Sequence, residues 1–232
     1  MNIKIPKVLV AAPTSNNKEY CFNKWVENTK ALTYPNLDLL LVDNSETDCY
    51  SKLLSKRVIR NHHIKFKDKP LLQRIEESMN YIREYALHYN YDYIFIKETD
   101  NLSPPNIIER LLTHNKAVTA GMYDIGHGKD RELCILLMDD SEHHKVPYKI
   151  GKDNYSFADG SLKKCFNAGL GTTLIHKNVL QKFPFRWVKG TNAYIDLTFA
   201  EDCMKWNYDF FVDTSIMSEH LNIDWKKEGV TV

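Results

Sequence analysis

The sequence has few of the features that mark membrane-spanning, disulfide-framed or polyanion-binding chains. Its longest apolar runs, at residues 8–12, 39–42 and 134–138, fall far short of the ~20 residues needed to cross a bilayer. The N-terminus carries two lysines but too brief an apolar stretch for a secretory leader, so none is expected. Cysteine is sparse: five residues, an odd number, with no C-x-x-C spacing. That argues against a zinc site or a disulfide framework and suggests reduced thiols in a cytoplasmic compartment. An excess of one charge is missing too. Thirty-one Lys and Arg are offset by 30 Asp and Glu, for a formal net charge of +1, which gives little pull on nucleic acid or anionic membranes. No repeat, low-complexity tract or linker interrupts residues 1–232, so a single domain is expected.

What the sequence does have is regular alternation of apolar strands and amphipathic helices. Apolar segments at 7–12, 37–42, 93–96 and 117–123 read as strands, and a weaker, polar one at 58–66 as an edge. Helical spacing covers 19–32, 48–54, 71–89 and 106–113, the third with Leu72, Ile75, Met79, Ile82, Tyr85, Ala86 and Tyr89 on one stripe. The resulting β-α-β-α-β-α-β-α-β order predicts an α/β fold with a mostly parallel, Rossmann-like sheet flanked by helices. The second half differs. Residues 133–138 and 146–150 read as antiparallel strands, 166–175 as a glycine-punctuated stretch that turns apolar, 178–183 and 198–207 as helices, and 210–212 as a late strand.

The chemistry is expected where the strands end. Tyr93-Ile-Phe-Ile runs into Lys97-Glu98-Thr99-Asp100. Alternation along an extended backbone would point Glu98 and Asp100 the same way. Two carboxylates on one side repel unless a cation lies between them, and a divalent ion carrying nucleotide phosphates is the usual one. An acidic turn capping the next helix explains the same residues. Ligands of parallel sheets bind beyond the carboxyl ends of the strands, and Pro13, Thr14 and Asp43 also lie at such ends. Asp43 reads equally as a turn cap. Arg74, on the long helix, either meets a phosphate or base or is an exposed helix charge. The pairs His62-His63 and His143-His144 lack metal-ligand spacing and read as solvated.

The ordered set Val10-Ala-Ala-Pro-Thr-Ser-Asn, Leu41-Val-Asp-Asn-Ser, Tyr93-Ile-Phe-Ile-Lys-Glu-Thr-Asp, Gly169-Leu-Gly, Ala200-Glu-Asp and His220 resembles GT-A glycosyltransferases, especially those of family 2. The likeness spans about residues 6–220. It implies a nucleotide-diphosphate sugar donor held by the first half (about 1–123), with the acceptor and catalytic base in the second (about 124–232). It also implies nucleoside contact at Asp43 and a D-x-D motif at Glu98-Thr99-Asp100. Asp100 would be a ligand to Mn²⁺ or Mg²⁺, and Glu98 would serve the ribose or the metal's water shell. His220 would be a further metal ligand, and Asp202, with Glu201 beside it, the base. Gly169 and Gly171 either let backbone approach the sugar or shape a turn. Trp187 and Tyr194 either stack on an acceptor or pack in the core.

Three departures stand out. Glu replaces the first acid of the D-x-D, the second strand ends in Val-Asp-Asn-Ser rather than Asp-Asp-Gly-Ser, and no Gln-x-x-Arg-Trp follows the Glu-Asp pair. The last favours transfer of one sugar over processive polymerisation. The expectation is therefore a metal-dependent, inverting, non-processive transferase acting on a carbohydrate, lipid-linked or protein acceptor. Its rivals are a nucleotidyltransferase, which would want a glycine-rich basic loop where Ala11-Ala-Pro-Thr-Ser-Asn-Asn stands, and a non-catalytic nucleotide- or carbohydrate-binding module.

Overall fold

Alternating apolar side chains decide the two faces of the central sheet. In the computed structural model, residues 5–57, 59–66, 68–126, 131–138, 148–149, 154–191 and 193–223 are described. The first half runs β1 (Val8–Thr14), α1 (Glu19–Lys30), β2 (Leu37–Asp43), α2 (Cys49–Lys56), β3 (Asn61–His63), α3 (Leu71–His88), β4 (Tyr93–Lys97), β5 (Asn101–Leu102), α4 (Ile107–Thr113) and β6 (Val118–Ile125). The second half adds β7 (Glu132–Leu133), β8 (Leu137–Met138), β9 (Tyr148–Lys149), β10 (Leu162–Cys165), β11 (Thr172–His176), α5 (Lys177–Lys182), α6 (Ile195–Lys205) and β12 (Phe210–His220).

The main sheet has the order β10-β12-β6-β11-β4-β1-β2-β3. β1 pairs in parallel with β2 and β4, β2 with β3, and β6 with β12. The sheet is therefore mixed but mostly parallel. Antiparallel strands enter from the second half: β11 lies between β4 and β6 and runs antiparallel to both, and β10 runs antiparallel to β12 at the edge. Leu9, Ala11, Leu40, Val42, Ile94 and Ile96 face one helical layer, with Met79, Ile82 and Phe199 buried against them. Val8, Val10, Phe95 and Leu174 face the other way and pack with Ile107, Ile108 and Leu111. Ala12 and Leu41 meet Phe22, Trp25, Tyr50 and Leu54 on that second side. Each fully buried Ile, Leu or Phe contributes roughly 1.5–3 kcal/mol by leaving water.

Three helices stop at an asparagine. Asn90, Asn115 and Asn207 take positive φ values of 54°, 48° and 58°, a conformation that asparagine tolerates better than most residues. After α3 the chain turns so tightly that Tyr91 N donates to Ala86 O at 2.9 Å. The next residues are already entering β4.

The second half departs from its expected boundaries. The 133–138 segment is two short strands with a bend between them, β7 on β6 and β8 on β9. The strand expected at 146–150 is described only at Tyr148–Lys149, and His143-His144 lie outside the described residues. The late strand is far longer than 210–212. β12 first pairs with β10 and the start of β6, shifts register between Asp213 and Met217, then pairs Glu219 and His220 with Leu102 and Asn101 of β5. His62 stacks on Tyr81 with centroids 4.0 Å apart, and His63 Nε2 lies 3.0 Å from Ser45 O. Neither is merely solvated.

Candidate active site

Beyond the carboxyl ends of β1, β2 and β4 lies a cleft of three adjoining cavities, of about 310, 440 and 240 Å³. Pro13, Thr14, Lys18, Asn44, Arg74, Glu98, Thr99 and Asp100 line the first. Glu98 and Pro13 continue into the second, with Tyr123, Asp196 and His220. Asn167, Gly169 and Asp196 form part of the third, and Tyr194 borders all three. Side chains distant in the chain thus share one rim of the sheet.

The strand ends are tied to one another. Asn44 N donates to Thr14 O at 2.8 Å, and the Thr14 and Thr99 hydroxyls are 3.3 Å apart. Asp43 is fully buried. Its Oδ1 accepts from Ser45 N at 2.9 Å and Ser45 Oγ at 2.6 Å, the turn-cap geometry. Its Oδ2 is buried without a hydrogen-bond partner, as is Arg74 Nε. Asp43 does not line the cleft wall; its neighbour Asn44 does, and Arg74 Nη1 lies 3.3 Å from Asn44 O.

Glu98 and Asp100 meet through a turn, not a continued pleat. β4 ends at Lys97, and Asn101 N donates to Glu98 O at 3.0 Å. Buried Lys97 holds this turn from beneath, its Nζ 2.8 Å from Asn101 O and 5.1 Å from the Trp25 ring centroid. Burial pushes its pKa down to about 7.

Leu221 N donates to Asp100 O at 2.7 Å, so the end of β12 is fastened to this turn. His220 Nε2 then lies 3.3 Å from Asp100 Oδ2, and Lys18 Nζ pairs with the same oxygen. Burial alone would raise the Asp100 pKa; the His220 hydrogen bond and the Lys18 charge outweigh it and hold the carboxyl well below its usual range. Glu98 goes the other way, raised by burial and by the Asp100 charge. His220 is raised as well: burial opposes its charge, but Asp100 prevails.

Among the described residues, no group of three or more His, Cys, Asp or Glu side chains could hold a metal ion by itself. Two candidate donors nevertheless face the same side. Asp100 Oδ1 is buried without a hydrogen-bond partner. His220 Nδ1 is 2.7 Å from Asp124 O, an atom that only accepts, so Nε2 is left to face Asp100. An oxygen and a nitrogen donor on one side fit a divalent ion whose other ligands come from phosphates and water.

The glycine stretch answers to packing. Gly169 has φ +67°, and a β-carbon there would overlap Tyr123 Oη and crowd Cys134 Sγ; one on Gly171 would overlap Asn101 Nδ2. Gly171 O also accepts from Glu98 N at 3.0 Å. These glycines admit Tyr123 and seat the acidic turn, and Gly169 adds to the third cavity's wall.

Glu201 and Asp202 lie apart from these cavity walls. Arg186 binds both, its Nε 2.6 Å from Asp202 Oδ2 and its Nη2 3.0 Å from Glu201 Oε2. The acid that α6 brings to the cleft is Asp196, in its first turn. Asp202 lies six positions further on, which carries it about 9 Å along the helix and roughly 120° around it. Asn167 Nδ2 is 3.2 Å from Asp196 Oδ2, and burial raises the Asp196 pKa against that hydrogen bond. The sequence signal was faint, because the helix was expected to begin only at 198. Trp187 packs against the core, its Nε1 3.3 Å from Thr191 O, and it does not line these cavities. Tyr194 is 55% exposed and overhangs the cleft.

No family model matches this sequence, and no curated protein matches it. Solved structures do share the fold. A mannosyltransferase, PcManGT from Pyrobaculum calidifontis, determined in complex with GDP-Man and Mn²⁺, superposes with a TM-score of 0.62 at 13% identity, over 94% of this chain and 58% of that one. The chain thus spans little more than half that enzyme's length. A197 from STIV matches with a TM-score of 0.50 at 14% identity, over 94% of this chain and 86% of that one. The fold is therefore one that a GT-A-like glycosyltransferase uses. No helix among the described residues is long and apolar enough to cross a membrane.

Proposed function

We propose that this chain is a metal-dependent, inverting, non-processive glycosyltransferase that moves one sugar from a nucleoside-diphosphate sugar to an acceptor hydroxyl. The observation that carries the reading is the meeting of Thr14, Arg74, Asp100 and His220 around one cleft at the strand ends. The fold shared with an enzyme solved with GDP-Man and Mn²⁺ supports the donor class.

In this reading the nucleoside lies beyond β1 and β2. Arg74, on the cavity wall with its Nε lacking a partner, holds hydrogen-bonding capacity in reserve there, while buried Asp43 shapes the turn behind it through Ser45. Asp100 and His220 would hold Mn²⁺ or Mg²⁺, with Glu98 turned to its water shell; such an ion offsets charge building on the departing diphosphate. Asp196, rather than Asp202, takes the acceptor proton. It borders both inner cavities, its burial strengthens its hold on a proton, and Asn167 fixes its orientation. The acceptor oxygen bonds to the anomeric carbon as the bond to the diphosphate oxygen breaks, so one displacement inverts the centre. Tyr194 offers an aromatic face to the sugar in transit.

A thermal-shift screen of nucleoside diphosphates with and without Mn²⁺ tests this. A preferred nucleotide at about 100 times its Kd should raise Tm by roughly 5–10 °C, with Mn²⁺ required and the Mn²⁺-dependent gain lost in Asp100→Ala. Equal stabilisation in chelator, or none by any nucleotide, would count against it.

A further inference from the structure

We infer that Lys18 is a stand-in cation, held on Asp100 until a nucleotide arrives, and that it exchanges Asp100 for the donor diphosphate when a divalent ion binds. Metal and nucleotide then load together, and the bare ion is turned away. The inference rests on the reading above, that Asp100 and His220 hold the ion, and assigns a role that reading leaves open.

Lys18 ends the 3-10 turn Asn16–Lys18 that follows β1. Its ammonium pairs with Asp100 Oδ2, the oxygen that also faces His220 Nε2. The Lys18 side chain is 27% exposed, against 3% for Asp100, so the cation is on the open side of a buried anion. A compact ammonium on a four-carbon stem can swing between neighbouring oxygens without losing a bidentate geometry.

Charge makes the exchange selective. Lys18 and Asp100 together are neutral. Even with Glu98 on the same wall ionised, a dication added beside them leaves an uncompensated positive charge in a part-buried cleft, with the ammonium a few ångströms away, and such repulsion is strong even at an effective dielectric of about 20. A diphosphate brings about two negative charges, so ion, diphosphate, Lys18 and Asp100 are neutral again. Arg74, on the same cavity, adds to the positive field that the bare ion would meet.

The test is a Mn²⁺ titration of nucleotide-free protein, with unbound Mn²⁺ read by its EPR amplitude. Lys18→Met should bind Mn²⁺ at least ~10-fold more tightly than wild type, and Lys18→Arg, which keeps the charge, should stay near wild type. Adding GDP or UDP should tighten Mn²⁺ binding less in Lys18→Met than in wild type, because coupling between two ligands is reciprocal. Equal nucleotide-free affinities for wild type and Lys18→Met, or a Lys18→Arg value matching Lys18→Met, overturns the inference. If Lys18→Met does not fold, Lys18→Gln, which can still donate to Asp100 without charge, is judged by the same criteria. Failure of every variant to take up Mn²⁺ even with GDP or UDP brings down the metal reading itself, a pattern distinct from equal affinities.

Discussion

Asp196 and Asp202 share one helix, yet only Asp196 lines the cleft. If Asp196 is the base, Asp196→Asn should lower transfer by about 10²–10⁴-fold while leaving nucleotide affinity nearly unchanged, and Asp202→Asn should change transfer little. Turnover assays with a saturating donor decide between them. The pH dependence follows from the raised Asp196 pKa. Transfer should fall as pH drops through that pKa, since the base must be ionised. For stability the sign is the reverse: the fold favours the protonated acid, so this contribution is present at low pH and lost as pH rises through the raised pKa. The Tm of Asp196→Asn relative to wild type should therefore climb as pH rises above the ordinary carboxylate range; a flat difference would contradict it. Arg186→Met strands Asp202, which is 7% exposed. It should cost about 1–3 kcal/mol in urea unfolding, discounted from a fully buried pair because Arg186 is partly solvated. At this scale the sequence singled out Glu98 and Asp100 by their type and order, but not Asp196, which it placed ahead of the helix. It could not expose Lys18, whose partner lies across the cleft, or the Arg186 clamp, which depends on how a loop meets α6.

Elements were more legible than residues, because strong punctuation brackets long patterns. α1 and α3 begin where expected, and Asn90 and Asn115 stop their helices ahead of β4 and β6. β10 was hidden by Lys163-Lys164, and the outer half of β12 by exposed Ser215, Met217 and Glu219 alternating with buried positions. That hidden half delivers His220 to Asp100. The glycine stretch gives an element-scale test. Gly169→Ala meets both a left-handed φ and overlap with Tyr123, and should cost about 2–5 kcal/mol. Gly160→Ala, also at positive φ but with nothing within 4 Å, should cost only about 1 kcal/mol. Urea midpoints of the two variants separate steric exclusion from backbone strain.

At the scale of the whole molecule, the mostly parallel sheet was readable from alternating β and α segments, but the antiparallel β11 was not. Nothing local says that Thr172 will pair with Lys97 on one side while Thr173 pairs with Ala120 on the other. Non-local pairing of this kind is settled by the edges left open, not by the strand's own residues. A fragment of residues 5–126 would lack this bridge, leaving β4 and β6 each with an unpaired flank. It should remain largely unfolded by circular dichroism and gain cooperative unfolding only when residues 154–223 are supplied. The same insertion sets a schedule for biosynthesis. A nascent chain can assemble the four strands β1–β4 early, but β6 must wait beside them, its apolar surface uncovered, until translation passes His176. A growing polypeptide in that interval is the form on which a chaperone would have most to grip.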